Sequence, residues 1–242
     1  DGEPTTEPAF GLDALWIESS QAELARGLGY TVVDAPTAIA THINTVIGES
    51  ASELLGQDET QQLLDKVAIR YPKLVGSLVP DLLPLSTVTQ VLQNLLAESV
   101  PVKDMRNIID TLTAHAKENQ DASHLTSLVR PKLGRLICQP LLDDTGTLTV
   151  ITLAPDLEKL LESSRAGAET DHITLDPTLA NSMIESLRAE AEKIQDTGTV
   201  ATLVVSPGLR SWMSRFVRVR VPDITVLSYT EIPDDQRIQV QS

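Results

Sequence analysis

The feature that most limits the fold of this sequence is the helical spacing of its aliphatic residues between positions 57 and 142. Apolar residues recur there at intervals of three and four, which places them on one face of an α-helix. Pro72 ends the first helical pattern, and Pro131 predicts a kink in the last one. We therefore expect an all-helical subdomain over residues 56–140, with helices at 58–71, 86–98, 103–117 and 122–139.

The periodicity changes after the turn sequence at residues 143–146. Thr147–Leu153 alternates threonine with Leu, Val and Ile, as a strand does. Beyond it, predicted helices and strands alternate, which favours a small sheet with helical crossovers. We predict a small α/β subdomain over residues 141–242, with helices at 156–165, 177–195 and 207–219 and strands at 147–153, 199–205, 224–229 and 237–241.

The first 55 residues are more polar and are interrupted by proline and glycine. They predict a short strand near residues 14–17, a helix at 19–27 and a strand at Tyr30–Val33, where β-branched residues cluster. A longer helix follows over residues 35–50, with its apolar residues on one face. Together, the three parts predict an α+β fold that is mainly helical.

The charge balance excludes several kinds of partner and location. The chain has 19 Lys and Arg against 34 Asp and Glu, a formal charge of −15. No net positive field attracts phosphates, so we expect no nucleic-acid partner. The single cysteine, Cys138, cannot form an internal disulfide, which fits a reducing compartment. The sequence has neither the roughly 18 apolar residues of a membrane helix nor a signal peptide or initiator Met, so we expect a piece of a longer protein.

Residues that could support catalysis or bind a metal are few. His115 and His124 could approach Cys138 across the helical subdomain, but no metal-binding motif is present, and helix-end and core positions are the simpler interpretation. Two acidic pairs lie in predicted turns, where solvation explains them: Asp143 with Asp144, and Asp234 with Asp235. We therefore predict no metal, no cofactor and no enzymatic activity.

One turn keeps an enzymatic alternative open. Ser206–Gly208 follows a predicted strand and would lie at the carboxyl edge of the sheet, where open α/β folds bind ligands. The glycine spacing of a phosphate-binding loop is missing, which favours a plain turn. The alternative function is a small-molecule-binding α/β enzyme or regulatory domain that uses the edge of the 147–229 sheet.

Arginine is concentrated in one predicted helix, against the acidic background. Trp212 and Phe216 are four residues apart there, so they can pack on the sheet while the arginines line the exposed face. The alternative is a contact with an acidic neighbouring subunit, because Arg and Trp are frequent in interface cores. The candidate subunit-contact residues are Arg210, Trp212, Arg215 and Arg218.

Two residues near the N-terminus have local interpretations as well. Phe10, one of two Phe in the chain, either fills a local core or anchors a partner in an exposed apolar groove. The hydroxyl of Thr41 can bond back to its own helix.

Several segments have distinctive residue patterns and follow one another in a characteristic order: Pro8–Ile17, Gly29–Asp34, Ile39–His42, Gln61–Asp65, Val91–Glu98, Val100–Arg106, Leu175–Pro177, Ser214–Arg218 and Val226–Ser228. These segments resemble the cytoplasmic domain of the flagellar type III export-gate family and its injectisome relatives. The likeness covers nearly the whole chain and is most specific between Gln93 and Arg106.

The resemblance implies a larger assembly. Members of this family have N-terminal membrane helices, absent from this chain, and a cytoplasmic part of four subdomains that forms a nonameric ring at the cytoplasmic face of the inner membrane. It implies that residues 1–34 are the remainder of the chaperone-docking subdomain. Residues 35–55 are then a helix of the otherwise missing ferredoxin-like subdomain, followed by the helical and α/β subdomains.

The resemblance also implies partners and a binding site. In the family, flagellar export chaperones with their cargo dock in an apolar dimple between the first two subdomains, and other export-apparatus proteins assemble around the ring. The matching positions are Phe10, Glu7 and Thr41. Position 7 is commonly Asp in the family, so Glu7 keeps the charge and moves it by a methylene. The implied contact with the membrane is only through the absent helices.

Overall fold

A computed structural model describes residues 2–9, 11–166, 175–195 and 198–241. We divide them into an N-terminal segment (residues 2–54), a helical lobe (55–141) and an α/β lobe (142–241). The elements of the N-terminal segment are β1 (Glu3–Thr6), β2 (Asp13–Trp16), α1 (Ala22–Gly27), α2 (Ala35–Glu49) and α3 (Ala51–Leu54).

The N-terminal segment begins with a hairpin. β1 and β2 pair antiparallel, with Glu3 opposite Trp16, and Gly11 takes a φ of +68° in the connection, a conformation that favours glycine. The predicted strand at Tyr30–Val33 is wrong, because those residues lie in irregular structure. No described strand lies beside them, so their β-branched side chains have no ladder to join.

Helix α2 begins where the sequence places a helix start. The Asp34 side chain accepts a hydrogen bond from the Thr37 backbone N–H at 2.9 Å, and Pro36 lies in the first turn. No described residue before Leu55 is buried. The apolar face of α2 is therefore largely uncovered.

The helical lobe contains one helix that the sequence analysis did not include, α5, which begins at Pro72. Asp104 and Asp121 cap the helices that follow them by accepting backbone N–H bonds. The predicted kink at Pro131 is observed as a break between two helices. The helices are α4 (Gln57–Arg70), α5 (Pro72–Leu78), α6 (Leu85–Leu96), α7 (Met105–His115), α8 (Ala122–Lys132) and α9 (Gly134–Cys138).

The α/β lobe follows the predicted alternation of strands and helices. Its elements are β3 (Thr147–Thr152), α10 (Pro155–Ala166), α11 (Pro177–Gln195), β4 (Thr202–Val205), α12 (Pro207–Arg218), β5 (Thr225–Ser228) and β6 (Arg237–Gln241). The strands form a parallel sheet in the order β5-β4-β3-β6, so β6 is an edge strand. The predicted α+β, mainly helical fold class is confirmed.

The two lobes share one apolar core. Val204 and Leu227, which are paired across β4 and β5, pack into the core of the helical lobe. Their neighbours Leu203 and Val226 pack with helices α11 and α12 instead. Because successive strand residues point to opposite faces, one face of the sheet covers the helical lobe and the other carries the helices of its own lobe.

Among the described residues, no helix combines the length and the apolar character that crossing a bilayer requires.

Candidate functional site

Glu7 closes the turn between β1 and β2. Its carboxylate accepts hydrogen bonds from the Ala9 backbone N–H at 3.0 and 3.1 Å, and its own N–H donates to the Leu12 carbonyl at 2.8 Å. The side chain is half-buried. Phe10, the anchor expected from the resemblance, lies outside the described residues.

Thr41 lies on α2, and its hydroxyl donates to the Thr37 carbonyl at 2.9 Å. The back-bonding expected for this hydroxyl is therefore observed. This bond joins two residues of one helix, just as the bonds from Ala9 to Glu7 join two residues of one turn. Several large apolar residues on the same elements, and on those between them in the chain, are exposed.

These exposed apolar residues come from the hairpin, α1, the loop that follows α1, and α2. Ile39, Ile43, Val46 and Ile47 form an exposed stripe on α2 at intervals of four, three and one. We call the whole set the N-terminal apolar surface: Leu12, Leu15, Trp16, Leu24, Leu28, Tyr30, Val33, Ile39, Ile43, Val46 and Ile47. The exposure of so many large apolar residues favours an interaction surface in this segment.

Helix α12 packs its aromatic residues inward. Trp212 is 6% exposed and stacks on Phe216 with ring centroids 5.1 Å apart. Trp212 belongs to the core that includes Leu203 and Val226, so the predicted packing on the sheet is observed. An inward Trp212 leaves little side chain for a neighbouring subunit.

The arginines of α12 do not behave alike. Arg215 and Arg218 are exposed, as expected. The Arg218 guanidinium also donates a hydrogen bond to the Ala97 carbonyl of the helical lobe at 3.0 Å. The expectation is wrong for Arg210, which is 5% exposed. Arg210 turns inward because Glu98 and Glu231 supply opposite charges there.

Three buried charged residues, Arg130, Arg210 and Glu231, meet the half-buried Glu98 at the junction of the lobes, and sequence reasoning missed this set. Glu231 accepts bonds from Arg130 Nε at 3.0 Å and Nη2 at 2.8 Å, while Arg130 Nη1 donates to Glu98 at 3.2 Å. Arg210 Nη1 and Nη2 both donate to Glu98, Nη2 at 3.1 Å. Arg210 Nε lies 3.6 Å from Glu231. We call these residues the charge cycle.

The electrostatics of the charge cycle favour the ionised forms. Burial alone would raise the pKa of Glu98, but Arg130 and Arg210 outweigh it and hold that pKa below its ordinary value. Burial alone would likewise lower the pKa of Arg130, whereas Glu231 and Glu98 raise it. The sequence contains one signal for the charge cycle. Arg130 lies at helical spacing from Thr126 and Leu133, both of which are buried.

The metal and nucleophile candidates have structural explanations. Cys138 is buried, and burial raises the pKa of its thiol to about 11, far from a reactive thiolate. His115 Nδ1 is 3.8 Å from Glu118 on its own helical turn, and the His124 backbone N–H donates to the Asp121 cap. In the described ranges, no group of three potential metal ligands comes together.

The acidic pairs are likewise engaged locally. Asp143 accepts bonds from the N–H groups of Thr145 and Thr147, both at 2.8 Å, and these bonds lower its pKa. Asp235 lies 3.0 Å from Arg135. Solvated turns explain these carboxylates, as expected.

The sheet edge at Ser206–Gly208 contains an acidic side chain where an anionic ligand would need positive charge. Glu158 of α10 accepts the Ser206 N–H at 2.7 Å, at the start of α12. The Tyr229 hydroxyl donates to the same carboxylate at 3.4 Å. The carboxylate therefore takes the position at the helix N-terminus that would attract a phosphate.

Solved structures define the class to which this fold belongs. The Chlamydia pneumoniae CdsV protein superposes with a TM-score of 0.84 at 25% identity, over 95% of this chain and 66% of that one. The nonameric SctV-C of EPEC superposes with a TM-score of 0.77 at 24% identity, over 93% of this chain and 68% of that one. The fold is that of the C-terminal cytoplasmic domain of export-gate proteins.

Sequence comparison narrows the class to a family. The FHIPEP family model matches residues 1–237, and the chain belongs to that family. The flagellar biosynthesis protein FlhA of Yersinia enterocolitica is 43% identical over 241 residues, which is 100% of this chain and 34% of the relative. The chain thus spans about a third of the length of that relative. The resemblance found in the sequence is confirmed.

Proposed function

We propose that this chain is the docking and ring-forming part of a flagellar type III protein export gate. The observation that carries the proposal is the N-terminal apolar surface, whose residues flank Glu7 and Thr41 along the chain and are exposed in the described structure. A surface that binds proteins needs apolar anchors of this kind and no catalytic group. The kinship with a flagellar biosynthesis protein supports the export role.

Within this function, the N-terminal apolar surface receives export chaperones with their cargo. Phe10 inserts as the apolar anchor, Glu7 offers a carboxylate that the turn already orients, and Thr41 lies on the neighbouring helix. Part of the α2 stripe is covered in the longer protein by the sheet of the ferredoxin-like subdomain. The docking site is what that sheet leaves exposed.

Ring formation is the second part of the proposal. The similar SctV-C structure is nonameric, and the exposed Arg215 and Arg218 offer positive charge to an acidic neighbouring copy. In the longer protein, helices upstream of this chain anchor the ring at the cytoplasmic face of the inner membrane, where other export-apparatus proteins contact it.

Chaperone capture by the longer protein tests the docking role. Replacing Phe10→Ala should weaken the affinity for a chaperone–cargo complex by at least ~1 kcal/mol, the loss expected of a significant interface residue. Ile69→Ala is the matched control, because Ile69 is 87% exposed on α4, outside the proposed surface. If calorimetry gives equal affinities for the Phe10 variant and the unchanged protein, Phe10 is not part of the docking site.

A further inference from the structure

The charge cycle joins the two lobes in a specific way. Glu98 and Arg130 belong to the helical lobe, whereas Arg210 and Glu231 belong to the α/β lobe. Each carboxylate therefore contacts one arginine of its own lobe and one of the other. Two positive and two negative charges close into a ring with no net charge.

Such a cycle is a poor source of stability. Removing four charges from water carries a large desolvation cost, and apolar residues of similar volume usually stabilise a fold as well or better. The lobes already share an apolar core through Val204 and Leu227. The hydrophobic effect itself has no direction, so apolar contact fixes an orientation only where the surfaces interlock closely.

The cycle supplies the direction that apolar contact lacks. The guanidinium of Arg130 meets Glu231 through two hydrogen bonds, a planar pairing with narrow angular tolerance. The Ser228 hydroxyl donates to Glu231 at 3.2 Å and fixes the acceptor. The Ser214 hydroxyl contributes, after Arg130 and Arg210, to holding the pKa of Glu98 down.

The packing beside the cycle is incomplete. A cleft of about 180 Å³ opens there, and its lining includes Val100 and Pro101 of the helical lobe as well as Pro222 and Ile224 of the α/β lobe. Glu98, Arg130 and Arg218 line the same cleft. A junction with open volume has room for the lobes to reorient, because it lacks the close packing that would resist a shift.

We propose that the charge cycle fixes the orientation of the helical lobe against the α/β lobe, with Glu98 as the carboxylate that both arginines require. Residues 97–100 suit this role. Ser99 has a φ of +56°, and Val100 N–H bonds back to the Leu95 carbonyl, so the end of α6 turns tightly and presents Glu98 to both arginines.

An apolar replacement of the whole cycle separates orientation from stability. The variant combines Glu98→Leu, Arg130→Met, Arg210→Met and Glu231→Leu. Pulsed electron spin resonance measures the distance between labels on Lys66→Cys and Glu185→Cys, which are exposed positions on different lobes. We expect a melting temperature equal to or above that of the unchanged chain, together with a distance distribution about two-fold broader or displaced.

The opposite result would overturn the proposal. A folded apolar variant with the original narrow distribution would show that apolar packing alone sets the orientation. If the apolar variant does not fold, Glu98→Gln decides in its place, because it keeps the side-chain shape and removes one charge. Broadening in that variant supports the proposal, and an unchanged distribution refutes it.

A control distinguishes reorientation from general loosening. Leu112→Ala truncates a fully buried side chain of the helical lobe that is outside the charge cycle. It should lower the melting temperature and leave the distance distribution narrow. Equal broadening in Leu112→Ala and Glu98→Gln would assign the effect to lost stability and contradict the proposal.

Discussion

The backbone carbonyl of Glu231 lies against the Cα of Gly134, so closely that a Cβ at position 134 would be 2.2 Å from the carbonyl oxygen. Gly134 begins α9, directly after the break that follows Pro131. The close approach brings the turn that carries Glu231 onto the end of α8, where the Arg130 guanidinium donates to the Glu231 carboxylate at 2.8 Å. A residue without a side chain therefore allows the lobes to meet at the charge cycle.

The first prediction concerns this contact. Gly134→Ala should destabilise the chain by about 1–3 kcal/mol, because the obstacle is backbone and cannot rotate away. Gly76→Ala is the matched control: an added Cβ meets nothing within 4 Å in α5, so alanine should stabilise by about 0.5–1 kcal/mol. Urea unfolding measures both. If the two variants were equally stable, the backbone at the contact between Gly134 and Glu231 would be able to shift at little cost in free energy.

The second prediction concerns pH. The pKa of Glu98 is held below its ordinary value of 4.5, so its carboxylate stabilises the fold fully above pH 4.5, and this contribution is lost as pH falls through the lower folded-state pKa. The stability difference between the unchanged chain and Glu98→Gln should therefore be largest near pH 7 and shrink below about pH 4.5.

Unfolding measured across that pH range checks this prediction. Glu118→Gln is the control, because Glu118 is an exposed residue whose ion pair with His115 contributes little. A difference for Glu98→Gln that stays constant from pH 7 to about pH 3 would show that its charge does not stabilise the fold.

The third prediction concerns Tyr229. Burial raises the pKa of this phenol, and the Glu158 carboxylate beside its hydroxyl raises it further. Glu158→Gln should lower the pKa of Tyr229 only part of the way toward 10, because burial of the phenol and the nearby Glu162 continue to raise it. Ultraviolet titration follows the three tyrosines, and Tyr229→Phe identifies the signal. A titration that is indifferent to Glu158→Gln would exclude the contact in solution.

Elements with their own stop and start signals were predictable from the sequence. Helix α11 runs from Pro177 to Gln195 as expected, because proline at a first turn marks a helix start locally. The strand expected at Tyr30–Val33 failed because a strand depends on a partner, which propensity does not supply. Local information decides helices more fully than strands.

The charge cycle was out of reach for a related reason. Arg130 and Glu231 are 101 residues apart, and Arg210 and Glu98 are 112 apart. Periodicity shows which face of α12 is apolar, and on that basis Arg210 counts as an exposed arginine. Only the fold brings Glu98 of the helical lobe and Glu231 of its own lobe to Arg210, which is why a surface role was expected for a buried residue.

The last prediction tests ring formation at the arginines that do remain exposed. In the longer protein, Arg215→Glu should weaken self-association by about two- to five-fold, because a rim charge that meets an acidic neighbour contributes modestly. Raising the salt concentration should weaken the unchanged protein in the same direction and reduce the difference between the two. Arg70→Glu makes the same charge change on exposed α4 and should have a smaller effect. If sedimentation shows equal association for both variants and no response to salt, α12 is not a subunit contact.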